Sequence, residues 1–410
     1  MKKLLEISLG VLVAIGAFVD IGDLVASAEA GSRFRMGLAW VLVLGTIGIC
    51  LYAEMAGRIA TMSKRTTFDL VRERMGAKLG LVTLGASFLV NFLTLAAEVG
   101  GLALVVALLT SLNYLFWVVP MAVALWIVVW RVKYSIMEKT VSLVGLALLV
   151  MVVTVWRLHP DWGSLLNSAT HPYVPASQTH ADYWYWAISL LGATITVYEV
   201  VFYSSGAIEE KWGREDLIVN RTNVYLGFPL GGVVSLSIMA AGAIFLFPRG
   251  IDAQHLSQTG LPVGAALGRA GIAFFLVGAF GAVFAAALET ALSAGYIVSQ
   301  YFGWPWGKIV KPKDAPRFHL VILVTLVGAA VLIQTSIDPI KVTEYAIALV
   351  AVAAPFTYLP ILLLANDPRY VGTKVNSFVS NALATIFFAI LVLASIATIP
   401  LMIITKGGST

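Results

Sequence analysis

Gly16-Ala17-Phe18-Val19-Asp20-Ile21-Gly22-Asp23 and Gly192-Ala193-Thr194-Ile195-Thr196-Val197-Tyr198-Glu199 decide how this chain folds. Both stretches lie in long apolar runs, yet both carry acid where a lipid-facing helix cannot hold it, because a bare charge at the bilayer centre costs several kcal/mol. Superposed on their Gly-Ala pairs, the stretches place Asp20 on Thr196 and Asp23 on Glu199. They sit in the first and sixth apolar runs of the chain. An offset of five spans turns the second copy upside down in the bilayer, which is the inverted-repeat signature of secondary transporters. Paired helices of such folds are interrupted at mid-membrane, and Gly22 and the β-branched run Thr194 to Val197 weaken the helix at that level. A break leaves carbonyls at the end of one half-helix without partners and sets carboxylates at the positive start of the next. The expected metal site therefore gathers the carboxylates of Asp20, Asp23 and Glu199, the hydroxyl of Thr196 and the carbonyls of Ala17 and Ala193. Every donor is a hard oxygen.

The rest of the sequence supports a polytopic all-α membrane protein. Of its 410 residues, 59% are hydrophobic and 12% charged, and the mean hydropathy is +0.89, a balance no water-soluble globule has. A bilayer span needs roughly 20 apolar residues, and the runs between charge clusters predict eleven: 4–26, 36–60, 81–110, 114–130, 139–157, 184–208, 222–247, 264–301, 317–336, 341–365 and 376–404. With the N-terminus in the cytoplasm, most of the 27 basic residues fall on inside loops, as the positive-inside rule asks, and the C-terminus lies outside. The net charge of +5 thus reports topology, and nucleic-acid binding is excluded. The expected organisation is one transmembrane domain over 1–410, divided into a first repeat at 1–158, an external loop at 159–183, an inverted second repeat at 184–366 and an additional helix and tail at 367–410. The apolar N-terminal stretch runs past any cleavage point, so it is a span, not a signal peptide. Localisation is the cell membrane, of the bacterial inner-membrane type, with multiple passes.

Cys50 is the only cysteine, which rules out an internal disulfide or thiolate cluster. The histidines, His159, His171, His180, His255 and His319, fall in or beside loops, so an imidazole site inside the membrane is not expected. The sequon Asn220-Arg221-Thr222 falls on the cytoplasmic side and should be inert. Three acids at close range need a cation or a proton, and oxygen-only donors favour magnesium, calcium or manganese over copper or zinc. The divalent ion is then the transported substrate, with no resident cofactor; the lipid bilayer is the other partner, and no protein partner is evident. An organic cation, a trivalent metal or a metal chelate is the alternative cargo. Enzyme activity is not expected, since no zinc-protease motif or Ser-His dyad lies in the membrane and the two aspartates share one segment. Glu98 and Tyr198 are candidates for proton transfer or gating. Glu54 and Arg58 have the i, i+4 spacing of a helical ion pair, and Glu289 and Glu344 are weaker functional candidates.

These residues resemble the NRAMP group of divalent-metal transporters over essentially all eleven runs. Asp20-Ile21-Gly22-Asp23 is similar to that family's Asp-Pro-Gly-Asn segment, and Gly192-Ala193-Thr194-Ile195 matches the frame of its Met-Pro-His-Asn motif. Ala97-Glu98-Val99, Leu292-Ser293-Ala294-Gly295 and Pro355-Phe356 with Pro360 resemble its third, eighth and tenth spans. The resemblance implies a LeuT-type fold of five plus five inverted spans with one added helix, the first and sixth broken, and cation import by alternating access. The departures carry information too. Ile21 and Val197 stand at the motif prolines, Asp23 and Glu199 at the asparagines, Thr196 at the methionine and Tyr198 at the histidine. In the family that thioether helps reject calcium and magnesium, so a hydroxyl with two added carboxylates hardens the site, as in the NRAMP-related magnesium transporter branch. The lost histidine, together with Leu95 where the family has an aspartate, implies weak or absent proton coupling.

Overall fold

All regular structure in the computed structural model is helical, and it describes residues 11–12, 14–15, 18–132, 140 and 142–408. In chain order the main helices are α1 (Ile21–Phe34), α2 (Ala39–Ser63), α3 (Thr67–Thr110), α4 (Leu115–Arg131), α5 (Val150–Arg157), α6 (Trp162–Thr170), α7 (His180–Thr194), α8 (Val197–Glu209), α9 (Leu217–Thr222), α10 (Phe228–Ala241), α11 (Leu261–Phe302), α12 (Pro316–Gln334), α13 (Pro339–Ala365) and α14 (Phe378–Ile404). Short polar side chains fix many of their starts. Thr66 and Asp69 form a reciprocal capping box at α3, and Thr179 and Asp182 form another at α7, so backbone N–H groups that a first turn leaves unpaired are satisfied locally.

Eight helical stretches of the described chain are long and apolar enough to cross a membrane, or nine if the two helices either side of a 111° bend, Ser142–Arg157 and Trp162–Thr170, count together. At 17 residues α4 is shorter, and the run before α1 is only partly described. The outer surface explains itself only in lipid. On α14, Leu393, Ile396 and Ile403 are each about 70% exposed, an apolar face no aqueous solvent tolerates. This is a multi-pass membrane protein.

Two local expectations need correction, and one gains detail. The third span starts well before residue 81: α3 begins at Thr67 and changes direction at Gly76 (φ 81°, ψ 164°), a conformation open to glycine because it has no Cβ. The segment 159–183 is not loop throughout, since Asp161 caps α6 within it. His319 is buried in the first turn of α12, where Nε2 meets the Val310 carbonyl at 3.2 Å.

The core is organised around α1 and α3. Every residue of α1 is buried, enclosed mainly by α7, α10 and α13, while α3 runs along both α11 and α13. One end of the bundle is tied by ions. Arg58 pairs with Glu54 at 3.1 Å and also donates to the Lys374 carbonyl and to Asn376, joining α2 to the segment before α14. Asn220 is buried against the same place, donating to the Glu54 carbonyl at 3.1 Å. Burial alone thus withholds the sequon side chain. Between α11 and α12, Lys308 donates to the last carbonyls of α4, those of Val128 and Val129, and burial lowers its ammonium to about 8 against the opposing pull of Glu209. Between α13 and α14, hydrogen bonds from Arg369 hold the Asp367 carboxyl down at about 2.

Candidate functional site

Two helix starts meet inside the molecule. Asp20 is the N-cap of α1, and its Oδ1 accepts the Asp23 N–H at 2.8 Å. Its Oδ2 accepts the hydroxyl of Tyr198, the second residue of α8, at 3.2 Å. One carboxylate therefore links both starts. Across from it, α7 stops at Thr194 and α8 begins at Val197, inside a single apolar stretch, His180–Glu209. Thr196 is the N-cap of α8 but makes no cap hydrogen bond; its hydroxyl donates to Glu199 Oε2 at 3.3 Å. Asp23 and Glu199 occupy the same third position of their helices, where exposed N–H dipoles favour negative charge. Asp20 and Asp23 are buried, whereas Glu199 keeps part of its surface open.

Close approach holds the pair of segments in place. A Cβ on Gly192 would lie 2.0 Å from the Ile347 carbonyl oxygen, and a Cβ on Gly22 would lie 2.8 Å from the Ile347 side chain and 3.8 Å from Ala193. Both glycines are thus pressed against one residue of α13. The Leu191 carbonyl takes the last α-helical bond, from Ile195 N–H, so the carbonyl of Ala193, two residues on, stands outside the intrahelical ladder. The Ile195 carbonyl, also past the end of the helix, accepts the Tyr358 hydroxyl at 3.1 Å. Ser293 donates to the Tyr198 carbonyl at 3.0 Å. Ala17, the matching carbonyl of the first segment, and Gly16 lie outside the described residues.

Glu98 approaches from α3. It is fully buried, the Ile21 N–H of α1 faces its carboxyl without closing a hydrogen bond among the described residues, and it shares an electrostatic neighbourhood with Asp20, Asp23 and Glu289. Asp23 is also in the field of Asp20 and Glu199, and Ser235 of α10 faces its carboxyl without closing a hydrogen bond. Sequence reasoning missed Ser235, Tyr358 and Ser293 as neighbours of the acids. A usable signal was present for the first: a serine behind the Gly231-Gly232 pair, where a helix is shaped for close approach. Glu344 has a partner of its own, Lys341 at 2.7 Å, and Glu54 is spent on Arg58.

Among the described residues, no group of three or more acidic, histidine or cysteine side chains is gathered closely enough to hold a metal ion directly. Hydrogen bonds join Asp20 to Tyr198 and Thr196 to Glu199, and Asp23 and Glu98 lie within the electrostatic reach of Asp20. The physical reason is visible in the contacts: both Asp20 oxygens are occupied, and the Thr196 hydroxyl is turned to Glu199. The donor set is oxygen throughout, and acidic.

The chain is similar to proteins of known kind along almost its whole length. It is 26% identical over 388 residues to a divalent metal cation transporter, MntH, of Deinococcus radiodurans, covering 89% of this chain and 83% of that one. MntH of Mycobacterium tuberculosis is 21% identical, with 97% and 91% covered. Among solved structures, a manganese transporter of Eremococcus coleocola superposes with a TM-score of 0.66 at 17% identity, covering 98% of this chain and 92% of that one. The nucleobase-cation-symport-1 transporter Mhp1 gives 0.61 at 15% identity, with 97% and 92% covered. The fold is therefore LeuT-like. The sequence pattern described as natural resistance-associated macrophage protein-like matches residues 10–400, and the chain belongs to the Nramp family.

Proposed function

We propose that this protein imports a hard divalent cation, magnesium or manganese, into the cytoplasm by alternating access, with weak or no coupling to protons. The observation that carries the reading is the meeting of two helix starts over one carboxylate, with an acid at the third position of each helix, while the Cys50 thiol, which feels the Glu199 charge, is turned to the Val224 carbonyl. The relatives named for divalent metal transport support the class of cargo. Asp20, Asp23 and Glu199 supply the charge, Thr196 and the carbonyls of Ala17 and Ala193 complete an oxygen shell, and Glu98 and Tyr198 gate the approach. An ion that dehydrates reluctantly is well served by acids spread about a cavity, because it binds through its retained waters. We read the chain as eleven spans, N-terminus inside and C-terminus outside, with 1–158 and 184–366 as inverted repeats, 159–183 as an external connection that carries α6, and 367–410 as an added helix and tail. The first and sixth spans are broken at Asp20 and at Ile195–Thr196.

The test is uptake into proteoliposomes under imposed gradients of magnesium, manganese or calcium, with a pH-sensitive dye in the lumen. Magnesium or manganese flux without luminal acidification is the expected result. Robust proton movement stoichiometric with metal would overturn the uncoupled reading. The part-open Glu199 and the absence of a tight acidic cage among the described residues favour a second reading, a bulkier cargo such as an organic cation, a trivalent metal or a metal chelate. Organic-cation uptake without any metal flux would select it.

A further inference from the structure

Away from the acids, a pocket of about 620 Å³ opens where several membrane-crossing stretches end. That is within the roughly 300–1,000 Å³ of small-molecule sites. Arg214, Arg221 and Lys374 line it, with no carboxylate among the lining residues. Its apolar wall includes Ile218, Tyr225 and Leu226, each between 44% and 59% exposed. Arg221 engages Glu54 through Nε at 3.4 Å, which leaves the terminal nitrogens of its fork out of that pair. Arg214 and Lys374 form no ion pair among the described residues.

Position narrows what fits. Arg214 opens the apolar stretch Arg214–Arg249, Lys374 stands just before α14, and Met62 at the end of α2 also lines the pocket. The pocket thus sits at the level where hydrocarbon gives way to headgroups. A soluble anion matches the three cations but wastes the apolar wall, and a neutral lipid matches the wall but not the cations. Guanidinium forks pair with phosphate oxygens in bidentate fashion, and acyl carbons cover exposed Ile and Leu.

We propose that this pocket is a binding site for an anionic phospholipid, the phosphate held by Arg214, Arg221 and Lys374 and the proximal acyl chain laid on Ile218, Tyr225 and Leu226. The inner-leaflet location rests on the inside N-terminus given under Proposed function, while the chemistry of the pocket does not. Basic pockets between spans on the cytoplasmic side recognise such headgroups.

The test uses the full chain in detergent and reads lipid retention by native mass spectrometry, with thermal shift as a second measure. Phosphatidylglycerol, phosphatidylcholine and inorganic phosphate are titrated separately. Wild-type protein should retain phosphatidylglycerol at least about tenfold better than phosphatidylcholine, and the Arg214→Gln/Arg221→Gln/Lys374→Gln variant should lose up to about a hundredfold. The milder Lys374→Gln, on an exposed segment, should weaken retention in the same direction. Equal retention of both lipids, undiminished retention in either variant, or a full thermal shift from inorganic phosphate alone would each overturn the proposal. The wild-type comparison stands even if the triple variant does not fold. Because the readout is bound lipid, failure here leaves the transport reading intact, and the converse holds.

Discussion

The starts of α1 and α8 are built to one plan and finished differently. Each has a polar N-cap, Asp20 or Thr196, and an acid at the third position, Asp23 or Glu199. In α1 the cap does what caps do: its carboxylate accepts the Asp23 N–H, and both of its oxygens are engaged. In α8 the cap has turned away from the backbone and donates to Glu199 instead, which leaves the first N–H groups of that helix to whatever enters. One start is a fixed anchor and the other is an adjustable one. A site made of two such halves can hold charge on one side and alter its grip on the other.

The largest test of that asymmetry is Asp20. Asp20→Ala removes the charge, the α1 cap and the partner of Tyr198 together, and transport should be abolished. Asp20→Asn sharpens the comparison, because an amide still caps but carries no charge. Flux lost in both variants identifies charge as the requirement, whereas flux retained in Asp20→Asn would demote Asp20 to a structural cap. Asp23→Ala comes next and should cripple transport without touching the cap. Loss of an interaction with a charged group costs about 1.5–3 kcal/mol, about tenfold to a hundredfold in apparent affinity measured by uptake. Glu199→Gln should have the smaller penalty of the two acids at third positions, since it is the part-exposed one; a larger penalty than for Asp23→Ala would reverse the roles of anchor and adjustable side. Thr196→Met should leave the fold unchanged and shift preference from magnesium toward manganese by offering a thioether, read from competition between the two ions. Tyr198→Phe should have the least effect, breaking only the hydroxyl link to Asp20 and raising KM more than it lowers kcat.

The plan of the two starts was legible in the sequence because each segment carries a Gly-Ala pair, then a polar N-cap, Asp20 or Thr196, and an acid three residues on, Asp23 or Glu199. Hydropathy gave the helical membrane class for the same reason that it is a strong constraint in lipid: backbone groups there must be satisfied within helices. What sequence did not reveal was mostly tertiary. Nothing local shows that Tyr198 reaches Asp20 across 178 positions, or that Tyr358 caps the Ile195 carbonyl. The early start of α3 was hidden because Arg72, Glu73 and Arg74 look like loop to a hydropathy reading, although Thr66 and Asp69 form a capping box that marks a helix start.

The contact of Gly192 with the Ile347 carbonyl has a mechanical consequence. No side chain separates the two backbones, so there is no soft layer to compress. Travel of α7 toward α13 is blocked at once, while sliding lengthwise or withdrawing remains open. The joint is a one-way stop, and any movement of α7 against α13 must run along that surface or away from it, for want of a methyl group's thickness between them.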